Sequence, residues 1–305
     1  MSERVRVAVA PQEAPEWVRD AVRDGGGEVV DLDRADALLW FDYRFPEVLG
    51  GLVAGAPQLR WVHLLSAGVD VFLDVLDDAH VWTCGKGLSA EPLAEHALTL
   101  ALAGRRRLHD YVGADRWGKP GGRSLYDQPV TIVGAGGIAT ELIAHLERFR
   151  CEVTVVRRVP DPVAGAHRVL AVDDLHDGLP DAQVVFLALA LTAETEGIIG
   201  APELALMNER AWLVNVARGR HVDTGALIDA LRSGTIAGAA LDVTDPEPLP
   251  PGHALWELPN CIVTPHTATT ISMFRGALAN RVRENVSRFA AGEPLLGGID
   301  VAAGY

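Results

Sequence analysis

The sequence predicts an α/β protein of two domains, each built on a doubly wound parallel sheet. Three observations lead there. The chain has 305 residues, more than one compact core usually holds. Short apolar runs of strand length alternate with stretches of helical length along most of it. A glycine-rich turn, Gly134-Ala135-Gly136-Gly137-Ile138-Ala139, follows one such run in mid-chain and opens a helix, where a second sheet begins.

Val5 to Ala10 reads as the first strand. Glu13 to Asp24 follows with helical spacing and stops at Gly25-Gly26-Gly27. Glu28 to Asp31, Ala37 to Phe41, Leu59 to Leu64 and Val81 to Cys84 read as further short strands. Ala90 to Arg107 reads as a long helix with Leu93, Ala97, Leu100, Ala101 and Ala103 on a buried face. Gly113 to Gln128 is rich in glycine, proline and charge, an excursion before the second sheet. In that sheet Val130 to Val133, Glu152 to Val156, Val184 to Ala188, Ala211 to Asn215, Ala237 to Val243 and Cys261 to Thr264 are the expected strands. Glu141 to Phe149 and Ala226 to Ser233 are expected helices, the latter ended by Gly234. Ile271 to Ala291 reads as a long helix returning to the first unit. The expected organisation is an outer domain of residues 1–100 and 271–305 around an inserted nucleotide-binding domain of residues 101–270.

Hydrophobic content of 49% and charged content of 22% suit packed cores and argue against disorder. A net charge of -14 disfavours nucleic-acid binding, which calls for a basic face. A local arginine site still suits an anionic substrate. Cys84, Cys151 and Cys261 show no Cys-x-x-Cys or other metal-ligand spacing, and read as small buried hydrophobes in a reducing compartment. Met-Ser-Glu-Arg-Val-Arg has no apolar signal core, and the longest nearly unbroken apolar run, Val184 to Leu191, is too short to cross a bilayer. A cytoplasmic protein with no membrane partner is expected, and no metal.

The glycine turn follows Val130-Thr131-Ile132-Val133 directly, which is the context a dinucleotide site requires. Gly134 permits the tight turn, Gly136 lets the backbone approach a pyrophosphate, and small Ala139 allows close helix–strand packing. The N–H groups near Gly137 and Ile138 would face the anion. The next strand ends in Arg157-Arg158, where an NAD site normally places an acid for the ribose 2′-hydroxyl. The pair instead suits a 2′-phosphate, so NADP(H) is the expected preference, with NAD(H) accepted if both arginines are solvated. Asp242 ends an apolar strand and either accepts from a nicotinamide amide or caps the following turn.

Three residues carry the expected chemistry. His266 follows a strand and Pro265, and a held imidazole suits proton exchange near neutral pH. Glu247, between Pro246 and Pro248, is its candidate partner, since a carboxylate orients an imidazole and favours its protonated form. Arg218, in Asn-Val-Ala-Arg-Gly, brings a guanidinium to a strand's carboxyl end, where it binds a carboxylate and polarises a neighbouring carbonyl. The other nine of the ten histidines, His96 and His221 among them, read as structural or solvated. Trp40, Phe41, Tyr43 and Arg44 follow a strand and read equally as core or as the wall of a side-chain pocket, where Arg44 would accept a second anionic group.

These residues resemble the D-isomer-specific 2-hydroxyacid dehydrogenase family over nearly the whole chain. Its most specific parts are Leu187 to Gly200, Leu213 to Asp223, Gly238 to Pro248 and Leu255 to Ala268. The resemblance implies a Rossmann domain inserted in a flavodoxin-like substrate domain, with substrate held in the cleft between them. It implies that Arg218 binds the substrate carboxylate and carbonyl, that Glu247 tunes His266, and that His266 is the acid/base. Gly137 and Ile138 would meet the pyrophosphate. Leu189, Ala190, Val216 and Ala217 would line the cofactor, and Asp242 would hold its nicotinamide end. Ser66-Ala67-Gly68-Val69-Asp70 is similar to the family's substrate loop, with the Ala67 and Gly68 N–H groups on the carboxylate. A homodimer is implied, with Arg105 to Gln128 as its arm. Arg157 departs from the commoner acidic residue and points to a glyoxylate/hydroxypyruvate reductase-like branch. The implied reaction is hydride transfer between NAD(P)H and a small 2-oxo acid. Two alternatives are a formate- or phosphite-type dehydrogenase on the same scaffold, disfavoured because the formate enzymes carry Gln where Glu247 stands, and a dinucleotide-sensing corepressor, which also keeps the trio.

Overall fold

The computed structural model describes residues 4–305, which divide into two compact units. The first comprises the chain up to Ser89 together with Ile271–Tyr305, and the second is the continuous stretch Ala90–Thr270.

The first unit holds five parallel strands in the order β2-β1-β3-β4-β5. They are β1 (Arg6–Ala10), β2 (Glu28–Val29), β3 (Ala37–Trp40), β4 (Trp61–Leu64) and β5 (Val81–Cys84). Helix α1 (Glu16–Asp24) buries Val18, Ala21 and Val22, the i, i+3, i+4 stripe that keeps one face on the sheet. It ends where the Gly25 N–H bonds the Ala21 carbonyl and Gly26 turns left-handed at φ 86. Helix α2 (Pro46–Ala54) begins on a proline and buries Leu49 and Val53. The C-terminal helix Ile271–Ala291 packs beside α1 through Leu278, Val282 and Val286.

The second unit holds seven parallel strands in the order β12-β11-β10-β9-β6-β7-β8. In chain order these are β6 (Pro129–Val133), β7 (Glu152–Arg157), β8 (Arg168–Ala171), β9 (Val184–Leu187), β10 (Trp212–Asn215), β11 (Gly238–Leu241) and β12 (Cys261–Val263). The helices are α3 (Ala90–Arg105), α4 (Leu108–Tyr111), α5 (Gly137–Glu147), α6 (Ala201–Leu206), α7 (Thr224–Ser233) and α8 (Ala254–Glu257). The sheet is buried on both faces, as crossover connections require. Along β9, Val185 and Leu187 join one core while Val184 and Phe186 join the other. Strand order reverses at β6, flanked by β9 and β7, and this is where open α/β sheets receive ligands.

The division between the units falls before Ala90 rather than at residue 100. The whole of α3 belongs to the second unit because Ala94, Ala97 and Ala101 are small enough to bring it onto α5 and the sheet. Strand β8 was not expected, since only Leu170 of its four residues is buried and its apolar pattern is correspondingly thin. Helix α5 begins at Gly137, one turn before Glu141, because the glycine turn itself feeds the helix. Among the described residues no helix is long and apolar enough to cross a membrane.

Candidate active site

Every strand of the second sheet points the same way, so its carboxyl ends form one edge. Arg218 follows β10, Asp242 and Glu247 follow β11, and His266 follows β12. These are three adjacent strands, and β9 separates them from the glycine turn after β6.

The turn is built for close approach. Gly134 has φ 117, and a Cβ there would stand 2.1 Å from the Ala188 carbonyl oxygen, so β6 and the segment after β9 meet only through glycine. A Cβ on Gly136, in contrast, would project into open space. That leaves room beside the N-terminus of α5, whose cap carries no side-chain bond and whose first N–H groups point out of the helix. Gly136 and Gly137 are exposed, Leu189 is half-buried and Ala190 exposed, whereas Val216 and Ala217 are buried. An exposed amide cradle at the switch point fits a dinucleotide pyrophosphate. Arg157 is half-buried, with its Nη1 3.4 Å from the Asp161 carbonyl, and Arg158 is exposed. Arg158 also helps to hold the Glu194 carboxyl below its ordinary value, after the larger effects of the Thr192 hydroxyl and the Glu194 N–H.

His266 and Glu247 meet directly, Nδ1 to Oε1, at 2.6 Å. A carboxylate only accepts, so Nδ1 carries the proton of this bond and Nε2 faces away from Glu247. The bond raises the imidazole above its ordinary pKa, against the opposing effects of partial burial and of Arg218. Burial pushes the Glu247 carboxyl up, but the His266 bond and charge, the Thr244 N–H and the Arg218 charge together hold it below its ordinary value. Thr244 fixes the loop from both sides: its N–H lies 3.3 Å from Glu247 Oε2 and its hydroxyl donates to the Pro246 carbonyl at 2.9 Å. The pair stays accessible, with 53% of the His266 and 40% of the Glu247 side chain exposed.

The Arg218 loop is pinned by residues that the sequence reading passed over. Asn215 donates to the Arg218 carbonyl at 2.8 Å and accepts from the Ala217 N–H at 3.0 Å. His221 is fully buried, and its Nε2 lies 3.2 Å from the Ala190 carbonyl. Its Nδ1 sits between the Arg218 N–H at 3.2 Å and the Arg218 carbonyl at 3.1 Å. His221 therefore ties the loop that presents the guanidinium to the expected cofactor segment. An asparagine closing an apolar strand was the available clue, whereas nothing local distinguished His221.

Asp242 is only 2% exposed. Its Oδ1 accepts from the Thr264 hydroxyl at 2.6 Å and the Thr267 N–H at 2.9 Å, and its Oδ2 from the Ala268 N–H at 3.1 Å. Burial would raise this carboxyl, but bonds from His96, Thr264, Thr267 and Ala268 hold it down at about 2. The aspartate thus braces the loop that carries His266.

In the first unit, residues 65–67 form a bend that leads into a 3-10 turn at Asp70–Phe72. The Ser66 hydroxyl donates to the Gly68 carbonyl at 2.9 Å, and Ala67 is exposed. Trp40 is buried and Phe41 stacks edge-on with Trp17, so these two are core. Tyr43 is exposed. Arg44 donates through Nε and Nη2 to Asp42, at 3.0 and 2.7 Å.

Known proteins share this fold and much of this sequence. A glyoxylate reductase from Aeropyrum pernix is 33% identical over 79% of this chain and 76% of its own length. An uncharacterized protein encoded in a proB 3′ region of Corynebacterium melassecola is 38% identical over 93% of this chain and 95% of its own length. A D-isomer-specific 2-hydroxyacid dehydrogenase from Xanthobacter autotrophicus Py2, solved with NADPH and MES, superposes with a TM-score of 0.88 at 29% identity over 99% of this chain and 100% of that one. An NADPH-dependent glyoxylate/hydroxypyruvate reductase from Sinorhizobium meliloti, solved with NADP and sulfate, gives 0.84 at 26% identity, covering 99% and 100% of the two chains. Residues 96–268 match the family described as D-isomer specific 2-hydroxyacid dehydrogenase, NAD binding domain. The family match and these relatives show that the chain belongs to the D-isomer-specific 2-hydroxyacid dehydrogenase family.

Proposed function

We propose that this enzyme reduces a small 2-oxo acid of the glyoxylate/hydroxypyruvate type to the D-2-hydroxy acid, reversibly. The observation that carries this is the 2.6 Å bond from His266 to Glu247, whose charges both respond to Arg218. When bound, NAD(P)H supplies the hydride. Gly136, Gly137 and Ile138 would hold its pyrophosphate, Gly134 would keep the turn tight, and Leu189, Ala190, Val216 and Ala217 would line it.

Arg218 binds the substrate carboxylate and draws electron density toward the neighbouring carbonyl oxygen. His266 donates the proton on Nε2 to that oxygen as the carbonyl carbon is reduced, and Glu247 stabilises the imidazolium before transfer. In oxidation the neutral Nε2 removes the hydroxyl proton.

NADP(H) is the proposed preference, supported by Arg157 and Arg158 at the end of β7 and by the absence of an acid there. A cytoplasmic homodimer is also proposed. Its support is the arm after α3, on which Leu108, Val112 and Trp117 are exposed to solvent.

A panel of glyoxylate, hydroxypyruvate, pyruvate and phenylpyruvate, each with NADPH and NADH, tests the assignment. Turnover of the two small acids, abolished in His266→Gln with cofactor binding retained, is expected. Full activity of His266→Gln would refute the acid/base role.

A further inference from the structure

One histidine that the reaction does not use directly stands behind the His266 loop. His96 lies on the second turn of α3, and its Nε2 is 3.1 Å from the Thr264 hydroxyl and 3.4 Å from Asp242 Oδ1. The Thr264 hydroxyl spends its single hydrogen on Asp242 Oδ1 at 2.6 Å. Its oxygen is then an acceptor toward His96, as is the carboxylate. Both neighbours therefore demand a hydrogen on His96 Nε2, which fixes the tautomer.

The loop behind which this cluster sits is under backbone constraint. His266 has φ 51, a left-handed conformation uncommon for any residue but glycine. Two bonds from its N–H, to the Asp242 carbonyl at 2.8 Å and the Thr264 carbonyl at 2.9 Å, hold it there. The Asp242 carboxylate grips the next two N–H groups, at Thr267 and Ala268. Thr264 and Asp242 thus bracket the residue that presents the imidazole, and His96 donates to both.

We propose that His96 is a positioning residue for the acid/base step: from α3, its Nε2–H locks Thr264 and Asp242 and so fixes the 264–268 loop in the conformation that holds His266 against Glu247. This rests on the reading of His266 as acid/base. The contacts of His96 Nε2 run to Thr264 and Asp242. Its effect is felt as the fraction of time that His266 keeps the Glu247 bond.

The test compares His96→Ala, His96→Gln and Thr264→Val in steady-state reduction across pH, with thermal melts as the control for folding. The charged groups acting on His266 are Glu247, Arg218 and Asp242, and all three remain in every variant. His96→Ala is expected to lower kcat about tenfold with KM for the oxo acid little changed. The descending limb of its pH profile should move toward acid, because an imidazole that leaves Glu247 loses the bond that raises it. His96→Gln, which returns an N–H donor at similar reach, should restore both rate and profile. Thr264→Val, which keeps the volume and removes the hydroxyl, should reproduce the alanine variant and carries the test if that variant does not fold. Wild-type kcat in His96→Ala or Thr264→Val would overturn the proposal. So would a reduced kcat with an unmoved pH profile, which is what general destabilisation gives. Full turnover by His266→Gln would instead remove the acid/base reading itself, a separate outcome.

Discussion

Replacing Glu247 with glutamine separates charge from geometry at the proposed acid/base pair. The amide oxygen still accepts from His266 Nδ1 across the 2.6 Å contact, but the negative charge is gone. A hydrogen bond to a charged group contributes about 1.5–3 kcal/mol and a neutral one about 0.5–1.5 kcal/mol. With 53% and 40% of the two side chains exposed, solvent screens much of that difference. A residual loss of about 0.5 kcal/mol corresponds to roughly twofold in rate. The direction across pH follows from the raised imidazole. Reduction needs His266 protonated, so kcat/KM falls as pH rises through the raised value. Removing the carboxylate charge lowers that value, and the falling limb of Glu247→Gln moves to lower pH. The rising limb of the oxidation reaction, which needs neutral imidazole, moves the same way. The assay is NAD(P)H consumption by the best 2-oxo acid across pH. A falling limb that stays in place, or moves toward alkali, would refute the assigned direction of coupling between Glu247 and His266.

Arg218→Lys replaces a planar fork with a point charge, and KM for the oxo acid should rise tenfold or more, on the order of 1.4 kcal/mol; an unchanged KM argues against the clamp. Arg157→Asp should reverse the proposed cofactor preference, read as the ratio of kcat/KM with NADPH and NADH, and a wild-type enzyme favouring NADH contradicts it at once. Phe186→Ala, at a fully buried position on β9, should cost about 3–5 kcal/mol in denaturant unfolding, and a loss under 1 kcal/mol would mean that the two-faced core is wrongly drawn.

Much of the second unit was legible because its strands are buried on both faces. Val184 to Leu187 and Ala211 to Val214 read as unbroken apolar runs, and the glycine turn announced where the sheet reverses. The meeting of His266 with Glu247 was legible because each lies in the loop after such a run. What stayed hidden was the bracing. His96 sits on a helix whose small apolar residues set the visible pattern, and its partners Thr264 and Asp242 are far away in sequence. His221 works through main-chain groups, which leave no mark on residue type. The unit to which α3 belongs was hidden for a related reason: an alanine-rich helix looks alike whichever sheet it covers, and its packing on α5 and against the Trp212 ring is not written in its own residues.

The order β12-β11-β10 has a metric consequence. Neighbouring strands lie about 4.8 Å apart, so the stems of the imidazole and guanidinium loops are set roughly 10 Å from each other by main-chain pairing, with the carboxylate stem midway. The sheet acts as a ruler graduated in strand widths. Side-chain substitutions elsewhere leave that gauge untouched. A change of substrate size must therefore be accommodated by residues off this ruler, while the reacting carbon and its carboxylate keep one fixed span.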